Sequence, residues 1–440
     1  MSVVTRIPPS PTGHLHIGTA RTALFNYLFA KSHGGVMLYR SEDTDKERSK
    51  REYETEIIEG LKKLGITWDN DKEIVRQSER VSVYKDYLRK VIDADMAYVS
   101  REVSQKDASK EVEVVRLRNP NKTLTFKDLI RGDITFDTTE LGDFVIARSI
   151  DDALYHFTVV VDDHEMGVTH VLRGEDHISN TSRQILIQES LGFERPQYAH
   201  LPLILAPDRS KMSKRHGAVA VEEYLNDGYL PETIVNYLAL LGWNGGGDKE
   251  VYSLAELISV FKLEEVNNSG AVFDPEKLLW LNKEHLARFS DEEFVEYVNN
   301  YLPEDVPVKS DEFARLLPAL RERISVGKEV TTVFTETDFS FVFNDIEVND
   351  EILKWKKDEA CEDYYPRLRK VVELLQNCNF DSPESIKECL WQYAEEVGKG
   401  EVLWPLRVAL TGLERSPDPF TCLFILGKKE SIRRIEAVIK

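Results

Sequence analysis

Glycines, hydroxyl residues and histidines are concentrated in the stretch TRIPPSPTGHLHIGTARTALFNYL near the start of the chain. The stretch follows a short β-type run and leads into a helical pattern. The start of a helix favours anions through its unpaired backbone N–H groups and its dipole. Gly13 and Gly18 have the GxxxxG spacing of a P-loop, but Thr19 stands where that motif requires lysine. The sequence therefore argues against a P-loop.

Two histidines in the same stretch, His14 and His16, raise the question of a metal site. They have no carboxylate or third ligand nearby, which makes a metal site a weak interpretation. Histidines at a helix start can instead donate to phosphate oxygens, while glycines let a nucleotide approach the backbone. On this stretch alone, a phosphate site and a rigid structural turn remain equally open.

A second candidate for phosphate chemistry is the polar stretch DRSKMSKRHGA, which begins at Asp208. It carries the cations Lys211, Lys214 and Arg215, and Met212 is its one large apolar residue. Three cations on a loop that follows a strand suit a clamp over a triphosphate. An exposed basic turn is the alternative interpretation of the same residues.

The elements that must position these residues alternate between strand and helix, which is typical of a parallel α/β sheet. In order they are SVVTRI, a helix from Gly18 to about Ser32, GVMLYR and the helix YETEIIEGLKKLGITW. From about Arg76 to Asp152, a helix and short charged β-type pieces resemble an insertion between two halves of the sheet. The pattern then resumes with HFTVVVDD, which we predict to be a strand. From about Pro303 onward, helix follows helix.

Composition limits the class of protein. The 440 residues are 42% apolar and 10% aromatic, which is ample for two to four packed domains. We expect an intracellular, cytoplasmic protein without a signal peptide or a membrane segment, because no apolar run approaches eighteen residues. The four cysteines form no CxxC pair, so we expect reduced thiols. A net charge of −20 does not exclude a nucleic-acid partner, because binding follows local patches.

Taken together, LHIGT and KMSKR, in this order and at this separation, resemble the two signature motifs of class I aminoacyl-tRNA synthetases. More narrowly, the chain resembles the bacterial glutamyl-tRNA synthetases almost from end to end. The runs that carry this resemblance are RIPPSPTGHLHIGTARTALFNYLFA, LYRSEDTD, YHFTVVVDDHEMGVTHVLRGEDHISNT, SKMSKRHGAV, GYLPETIVNYLALLGW and WPLRVALTG.

The resemblance implies a Rossmann-like α/β catalytic domain with a parallel sheet, an inserted α+β domain and an all-α anticodon-binding region. We expect the catalytic domain in residues 1–75 and 153–225, and an insertion that binds the tRNA acceptor end in residues 76–152. A helical region that contacts the tRNA stem would occupy residues 226–302. The anticodon-binding region would occupy residues 303–440.

The resemblance also implies the reaction. Glutamate attacks the α-phosphate of ATP, which enters with Mg²⁺, and the glutamyl group then passes to the 3′ end of tRNA(Glu). A second tRNA substrate, tRNA(Gln), is left open. The implied catalytic residues are His16, Lys211 and Lys214. The implied ATP-binding residues are Thr12, Gly13, His16, Gly18, Thr19, Lys211, Met212, Ser213, Lys214 and Arg215.

Glutamate has two carboxylates and one ammonium, so its pocket needs arginines and an acid. The residues that match the family's substrate positions are Arg6, Ser10, Glu42, Tyr155 and Arg173. Arg6 and Arg173 would pair with carboxylate, where a guanidinium gives both energy and geometry. Glu42 would receive the ammonium, and the hydroxyl of Tyr155 would donate. His177 and Asn180 of DHISNT would continue the site.

Two further features are interpreted with the help of the family. Asp162 and Asp163 are neighbours in the predicted strand, so we expect their side chains to point to opposite faces and to have a structural role. Many relatives bind zinc in the insertion through cysteines, but the segment AYVSREVSQKDASKEVEVVRLR has none. We therefore predict no zinc and no other protein-bound metal.

The helical tail favours the bacterial glutamyl type over relatives with β-barrel anticodon domains. Its basic run KKESIRR suggests tRNA-backbone contacts at Lys428, Lys429, Arg433 and Arg434, with a solvated helix face as the alternative. The expected oligomeric state is a monomer. Two other functions are weighed: an adenylate-forming nucleotidyltransferase that uses no RNA, and a tRNA-binding paralogue without catalysis. The helical tail argues against the first, and the intact His16, Lys211 and Lys214 argue against the second.

Overall fold

The computed structural model describes residues 2–103, 111–210, 212, 220–356, 358–360 and 363–439. The chain divides into two compact units, Met1–Leu281 and Asn282–Lys440. The finer division into four regions that the sequence suggests stays a prediction. The basic-loop residues Lys211, Ser213, Lys214 and Arg215 lie outside the described residues.

The first unit alternates strands and helices around an inserted set of strands. Its elements are β1 (Val4–Ile7), α1 (Ile17–Ser32), β2 (Val36–Ser41), α2 (Arg51–Lys63), β3 (Val75–Arg76), α3 (Val81–Asp93), β4 (Ala97–Val103), β5 (Glu111–Leu117), β6 (Thr123–Asp128), β7 (Gly132–Asp137), β8 (Phe144–Ser149), β9 (Asp152–Ala153), α4 (Tyr155–Glu165), β10 (His170–Gly174), α5 (Ile178–Leu191), β11 (Gln197–Leu201), β12 (Ile204–Leu205), α6 (Val221–Asp227), α7 (Pro231–Leu240), α8 (Leu254–Val260) and β13 (Ala271–Val272). Helix α9 (Pro275–Leu286) contains the division between the units.

Parallel pairing dominates the part of the first unit that surrounds the opening stretch. Strands β1, β2 and β3 form one parallel sheet, and β10 pairs in parallel with β11. The two sheets meet where the Thr169 hydroxyl accepts the Val4 N–H at 2.8 Å and the Thr169 N–H donates to the Val4 carbonyl at 3.0 Å. The insertion adds β6 and β7 beside β11, while β4, β5, β8 and β9 form a separate antiparallel sheet. The predicted parallel α/β catalytic fold is confirmed.

Helix α1 begins where the sequence predicts because His16 caps it. His16 has an extended backbone (φ −79°, ψ 145°), and its Nδ1 accepts the Gly18 N–H at 3.0 Å. That bond satisfies one of the donors that a helix start leaves unpaired. The helix is buried on most of its surface, with Ala20, Leu24 and Leu28 fully inside the core.

The prediction of a strand at HFTVVVDD is wrong, because these residues form helix α4. Its valines are buried, and Phe157, Val160 and Val161 pack into the core that α5 and the inserted strands share. A short apolar run buried on most sides has no helical period to reveal it, and tertiary packing overrides the β preference of valine.

The second unit is helical throughout its described residues, as the sequence predicts. Its helices are α10 (Asp291–Asn299), α11 (Asp311–Arg323), α12 (Lys328–Thr335), α13 (Ser340–Phe343), α14 (Asp350–Leu353), α15 (Tyr365–Gln376), α16 (Pro383–Val397), α17 (Lys399–Thr411) and α18 (Pro419–Val438). The described cysteines Cys378, Cys389 and Cys422 are free thiols.

Candidate active site

A cavity of about 390 Å³ opens at the carboxyl ends of β1, β2 and β10, beside the start of α1. This is the edge at which parallel α/β sheets bind their ligands. All five predicted glutamate-binding residues line it, namely Arg6, Ser10, Glu42, Tyr155 and Arg173. Among the predicted ATP-binding residues, those that line it are His16, Gly18, Thr19 and Met212. Thr12 and Gly13 do not line the cavity, although they lie in the same loop.

Two buried arginines, Arg6 in the cavity lining and Arg40 outside it, are bound by carboxylates of the protein. Arg40 is fully buried, and it donates to Glu42 Oε1 at 3.0 Å and to Asp163 Oδ1 at 2.7 Å. Arg6 Nε donates to the same Asp163 oxygen at 3.2 Å. Burial would raise the pKa of Asp163, but the charges of Arg6 and Arg40 outweigh it and hold that pKa below its usual range. Asp163 is therefore an anion that fixes both guanidinium groups.

At Glu42, burial and the neighbouring cation also act on the pKa in opposite directions, but burial outweighs the cation. Burial raises its pKa, although the charge of Arg40 and their hydrogen bond act in the opposite direction. The carboxylate that would receive the substrate ammonium thus depends on Arg40 for its ionisation.

Asp162 is buried and holds three donors from the segment that leads into the insertion. Its carboxylate accepts from Gln77 Nε2 at 2.9 Å, Arg80 Nε at 2.8 Å and the Tyr84 hydroxyl at 2.8 Å. Arg40 Nε also lies 3.8 Å from it. The expectation that Asp162 and Asp163 diverge is wrong, because on helix α4 both come within ion-pair distance of Arg40. Both hold donor groups of the protein in place, and the structural role stays a prediction.

Arg173 lies at the end of β10 and is bound only by neutral groups in the described part of the chain. Its Nε donates to His200 Nε2 at 3.1 Å, its Nη1 to Gln184 Oε1 at 2.7 Å and its Nη2 to Thr181 Oγ1 at 2.8 Å. Burial lowers the pKa of Arg173. Unlike the charges of Arg6 and Arg40, its positive charge meets no carboxylate within ion-pair distance among the described residues.

Tyr155 and His177 form the neutral wall of the cavity. The Tyr155 hydroxyl lies 3.2 Å from His177 Nδ1, and Asn180 Nδ2 lies 3.1 Å from the same nitrogen. Burial, followed by the charge of Arg173, lowers the pKa of His177 to about 4. Burial raises the pKa of Tyr155 to about 12. Both side chains are therefore neutral at physiological pH. His177 lines the cavity and Asn180 does not, and a part for either in substrate binding stays a prediction.

His16 presents a defined tautomer to the site. Because Nδ1 accepts the Gly18 N–H, the proton of the neutral ring is on Nε2. A Cβ atom at position 18 would lie 3.3 Å from His16 Nδ1, so glycine gives the ring its room. His14 pairs instead with Glu56 at 2.8 Å, has an exposed side chain and does not line the cavity.

The described residues within and directly after the basic stretch contact elements of the site. Met212 lines it and donates its N–H to the Ile204 carbonyl at 3.3 Å. Ala220 forms an isolated antiparallel bridge with His16, and the Val221 N–H donates to the Leu15 carbonyl at 2.9 Å.

The four predicted tRNA contacts on α18 have different environments. Arg434 is buried and donates to the carbonyls of Phe341 and Leu410, so its guanidinium has a structural partner set. Lys428 donates at 2.5 and 3.4 Å to two carbonyls at the C-terminal end of α15. Lys429 and Arg433 are exposed, and Arg433 pairs with the neighbouring Glu430.

Sequence reasoning missed three residues beneath the cavity: Arg40, Asp128 and His200. Arg40 and His200 stand within otherwise apolar strands, and a polar residue in a buried strand was the available signal. No cluster of three or more His, Cys, Asp or Glu side chains fit for a metal occurs in the described residues. The absence of zinc stays a prediction. In the described residues, no helix has the length and apolar character needed to cross a membrane.

Comparison with known proteins gives the class first. Residues 2–106 and 99–280 match the sequence model of the catalytic domain of class I tRNA synthetases for glutamate and glutamine (E and Q), and residues 293–439 match an anticodon-binding domain. The chain is 39% identical to a glutamate–tRNA ligase of Desulforamulus reducens over the full length of both chains. It is 38% identical to the glutamate–tRNA ligase of Aquifex aeolicus, over 100% of this chain and 99% of that one.

A solved structure is similar as well. The glutamate tRNA ligase of Elizabethkingia meningosepticum, crystallised in complex with its amino acid, superposes with a TM-score of 0.89 at 30% identity and covers 100% of this chain and 99% of its own. The chain belongs to the class I tRNA synthetases of the glutamate and glutamine group.

Proposed function

We propose that this chain is a glutamate–tRNA ligase. It activates glutamate with ATP to glutamyl-adenylate and transfers the glutamyl group to the 3′ end of tRNA(Glu). The observation that carries the proposal is that Arg6, Glu42 and Arg173 converge on one cavity whose other end is formed by His16 and the start of α1. The full-length relatives with this activity support the same conclusion.

The charges of the cavity fit glutamate. The uncompensated guanidinium of Arg173 faces a carboxylate of the substrate, and Arg6 lies in the same wall. Glu42 receives the ammonium, and the Tyr155 hydroxyl donates a hydrogen bond. Ser10 adds its hydroxyl to the polar lining of the cavity. Glutamine would leave a buried guanidinium without a carboxylate, which costs several powers of ten in specificity at sites of this kind.

The ATP end uses the start of α1. The Nε2–H of His16 donates to a phosphate oxygen, and the backbone of Gly18 and Thr19 faces the nucleotide. Thr12, Gly13, Met212, Ser213 and Arg215 are the other residues assigned to ATP binding, and Lys211 and Lys214 are assigned to stabilising the charge on its phosphates. The bridge between Ala220 and His16 supports the assignment, because Ala220 follows the basic stretch in the sequence and pairs directly with the signature histidine. ATP enters with Mg²⁺ as part of the substrate.

Catalysis on this arrangement consists of positioning and charge stabilisation. The α-carboxylate is held in line with the α-phosphate while cations take up the charge that develops on the phosphates. The insertion in residues 76–152 would receive the acceptor end, residues 226–302 the stem, and residues 303–440 the anticodon. On α18, the exposed Lys429 and Arg433 are the better candidates for phosphate contacts. A cytoplasmic monomer remains the expected state.

Aminoacylation of purified tRNA(Glu) and tRNA(Gln), each with radiolabelled glutamate and glutamine, tests the proposal. We expect glutamate on tRNA(Glu), and the second tRNA decides whether the enzyme is restricted to one acceptor. If neither tRNA receives glutamate while the protein forms an adenylate of another acid, the ligase assignment fails.

A further inference from the structure

The guanidinium of Arg173 is supported from below by a buried chain of side chains that ends in the insertion. His200 Nε2 accepts from Arg173 Nε at 3.1 Å, and His200 Nδ1 lies 2.7 Å from Asp128 Oδ2. The side chains of His200 and Asp128 are both completely buried. Asp128 is the last residue of β6, which belongs to the inserted segment and pairs with β11 at Tyr198. A carboxylate of the insertion therefore lies one imidazole ring away from a residue of the glutamate pocket.

The hydrogen bonds fix where the proton of His200 is. Arg173 Nε can only donate, so His200 Nε2 must accept and its proton must be on Nδ1, facing Asp128. Burial and the charge of Arg173 lower the pKa of His200, although the bond to Asp128 opposes this, so the ring is neutral. The carboxylate keeps its charge: hydrogen bonds from His200 and from the backbone N–H groups of Ile130 and Arg131 outweigh its burial and lower its pKa.

The hydrogen-bonded side chains of Asp128 and His200 orient Arg173 without neutralising its charge. Arg6 and Arg40 are each in direct contact with Asp163, which cancels much of their charge. A neutral imidazole between Asp128 and Arg173 supplies an acceptor for Nε but keeps the anion at a distance. The remaining partners of the guanidinium, Thr181 and Gln184, are neutral as well.

We propose that Asp128 and His200 are positioning residues for glutamate recognition: Asp128 fixes the tautomer of His200, and His200 holds Arg173 in the orientation in which its full charge meets the substrate carboxylate. The inference rests on the proposed function. It adds that the inserted segment contributes to the amino-acid pocket through a buried carboxylate.

Asp128→Asn is the central test because the structure dictates how the new amide would be placed. Asp128 Oδ1 accepts the N–H groups of Ile130 and Arg131, both at 3.0 Å, whereas Oδ2 accepts one backbone N–H, that of His200, at 3.1 Å. The amide oxygen therefore takes the Oδ1 position, where it keeps the larger number of donors. The amide nitrogen then faces His200 Nδ1 and donates to it, which moves the ring proton to Nε2. There it opposes the N–H of Arg173, and the bond is lost.

Loss of a hydrogen bond to a charged group raises the KM for glutamate about 10- to 100-fold in Asp128→Asn, while the KM for ATP stays within about twofold. Long-range ¹H–¹⁵N spectra of the imidazoles report the tautomer directly, and the signal of His200 is the one missing in His200→Gln. We expect Nδ1–H in the wild-type protein and Nε2–H in Asp128→Asn. An unchanged tautomer, or a changed tautomer with an unchanged KM for glutamate, overturns the inference.

Substitutions at His200 keep the test decisive if Asp128→Asn folds poorly. Gln in place of His200 offers an amide oxygen to Arg173 Nε, so its KM for glutamate should stay close to that of the wild type. His200→Phe has no acceptor and should behave like Asp128→Asn. Equal effects of Gln and Phe on the KM for glutamate would contradict the proposed role.

Direct glutamate binding by calorimetry separates the two hypotheses. A wild-type protein that binds no glutamate would disprove the proposed function itself. A wild-type protein that binds glutamate, together with variants that bind it equally well, would disprove only the role of Asp128 and His200.

Discussion

Replacing Arg40 by methionine tests whether the ammonium site depends on a buried cation that never touches the substrate. Methionine keeps most of the volume and removes the charge. Asp163 retains Arg6 at 3.2 Å and Asp162 retains Arg80 at 2.8 Å, but Glu42 loses its partner at 3.0 Å. Breaking a buried ion pair from one side costs about 3–5 kcal/mol in the free energy of unfolding. In a unit of this size, that lowers the melting temperature by on the order of 10 °C.

The pH dependence follows from the sign of the shift at Glu42. Burial already raises its folded-state pKa above the unfolded value, so its contribution to stability is present at low pH and is lost as the pH rises through the folded pKa. Without Arg40 this pKa rises further. The stability difference between Arg40→Met and the wild type should therefore shrink on acidification. The acid limb of kcat/KM for glutamate should move to higher pH, because the ammonium needs an ionised Glu42.

Thermal unfolding and glutamate kinetics between pH 5 and 8 measure both effects. Arg51→Met is a matched control, since Arg51 pairs with Glu54 from a largely exposed position and its loss costs about 1 kcal/mol or less. The double variant Arg40→Met/Glu42→Gln should recover much of the lost stability, because it leaves no unpaired carboxylate at position 42. An Arg40→Met protein with wild-type stability and an unshifted acid limb would refute the reasoning.

Three other predictions concern the two units separately. Arg173→Gln should lower kcat/KM for glutamate by about 10²- to 10⁴-fold and reduce the preference for glutamate over glutamine. The KM for ATP should not change, and ATP–pyrophosphate exchange measures both parameters. The pKa of His177 is lowered to about 4, so the free energy of unfolding should fall as the pH drops from about 6.5 towards 4. In His177→Gln, chemical denaturation at several pH values should show about one proton fewer taken up on unfolding over this range. Charge reversal of Lys429 and Arg433 together should raise the KM for tRNA and reduce the salt slope of binding by about 2, whereas Lys370→Glu, at an ion-paired surface site, should change both less.

The order of strands and helices could be predicted wherever local rules decide the structure. Helix α1 is one example, because a polar capping residue and a glycine stand at residues 16 and 18, at the start of the helix. Helix α4 is the opposite case. Its run of valines favours a strand by composition, and only the surrounding core makes it a helix. Burial on nearly all sides removes the alternation of polar and apolar residues on which such predictions depend.

The predicted pocket residues converge, but their partners could not be predicted. Arg40 is 122 to 123 residues from Asp162 and Asp163, and Asp128 is 72 residues from His200. No local rule connects residues at that separation. The basic residues of α18 illustrate the same limit of sequence-based prediction. The sequence of a basic run does not reveal that Arg434 points inward to two carbonyls while Lys429 remains exposed.

The three buried arginines of the site show how one pocket can combine a rigid frame with a binding charge. Arg6 and Arg40 share Asp163, so their charges are largely neutralised by carboxylates of the protein, and Arg40 pairs with Glu42 as well. Arg173 is held as firmly but only by neutral groups, so its charge remains for the ligand. A substrate carboxylate would give the guanidinium of Arg173 an ion-pair partner that it lacks among the described residues. Under the proposed function, the second carboxylate of an acidic amino acid supplies that partner while its α-carboxylate reacts with ATP, so the pairing of Arg173 favours an acidic over a neutral side chain.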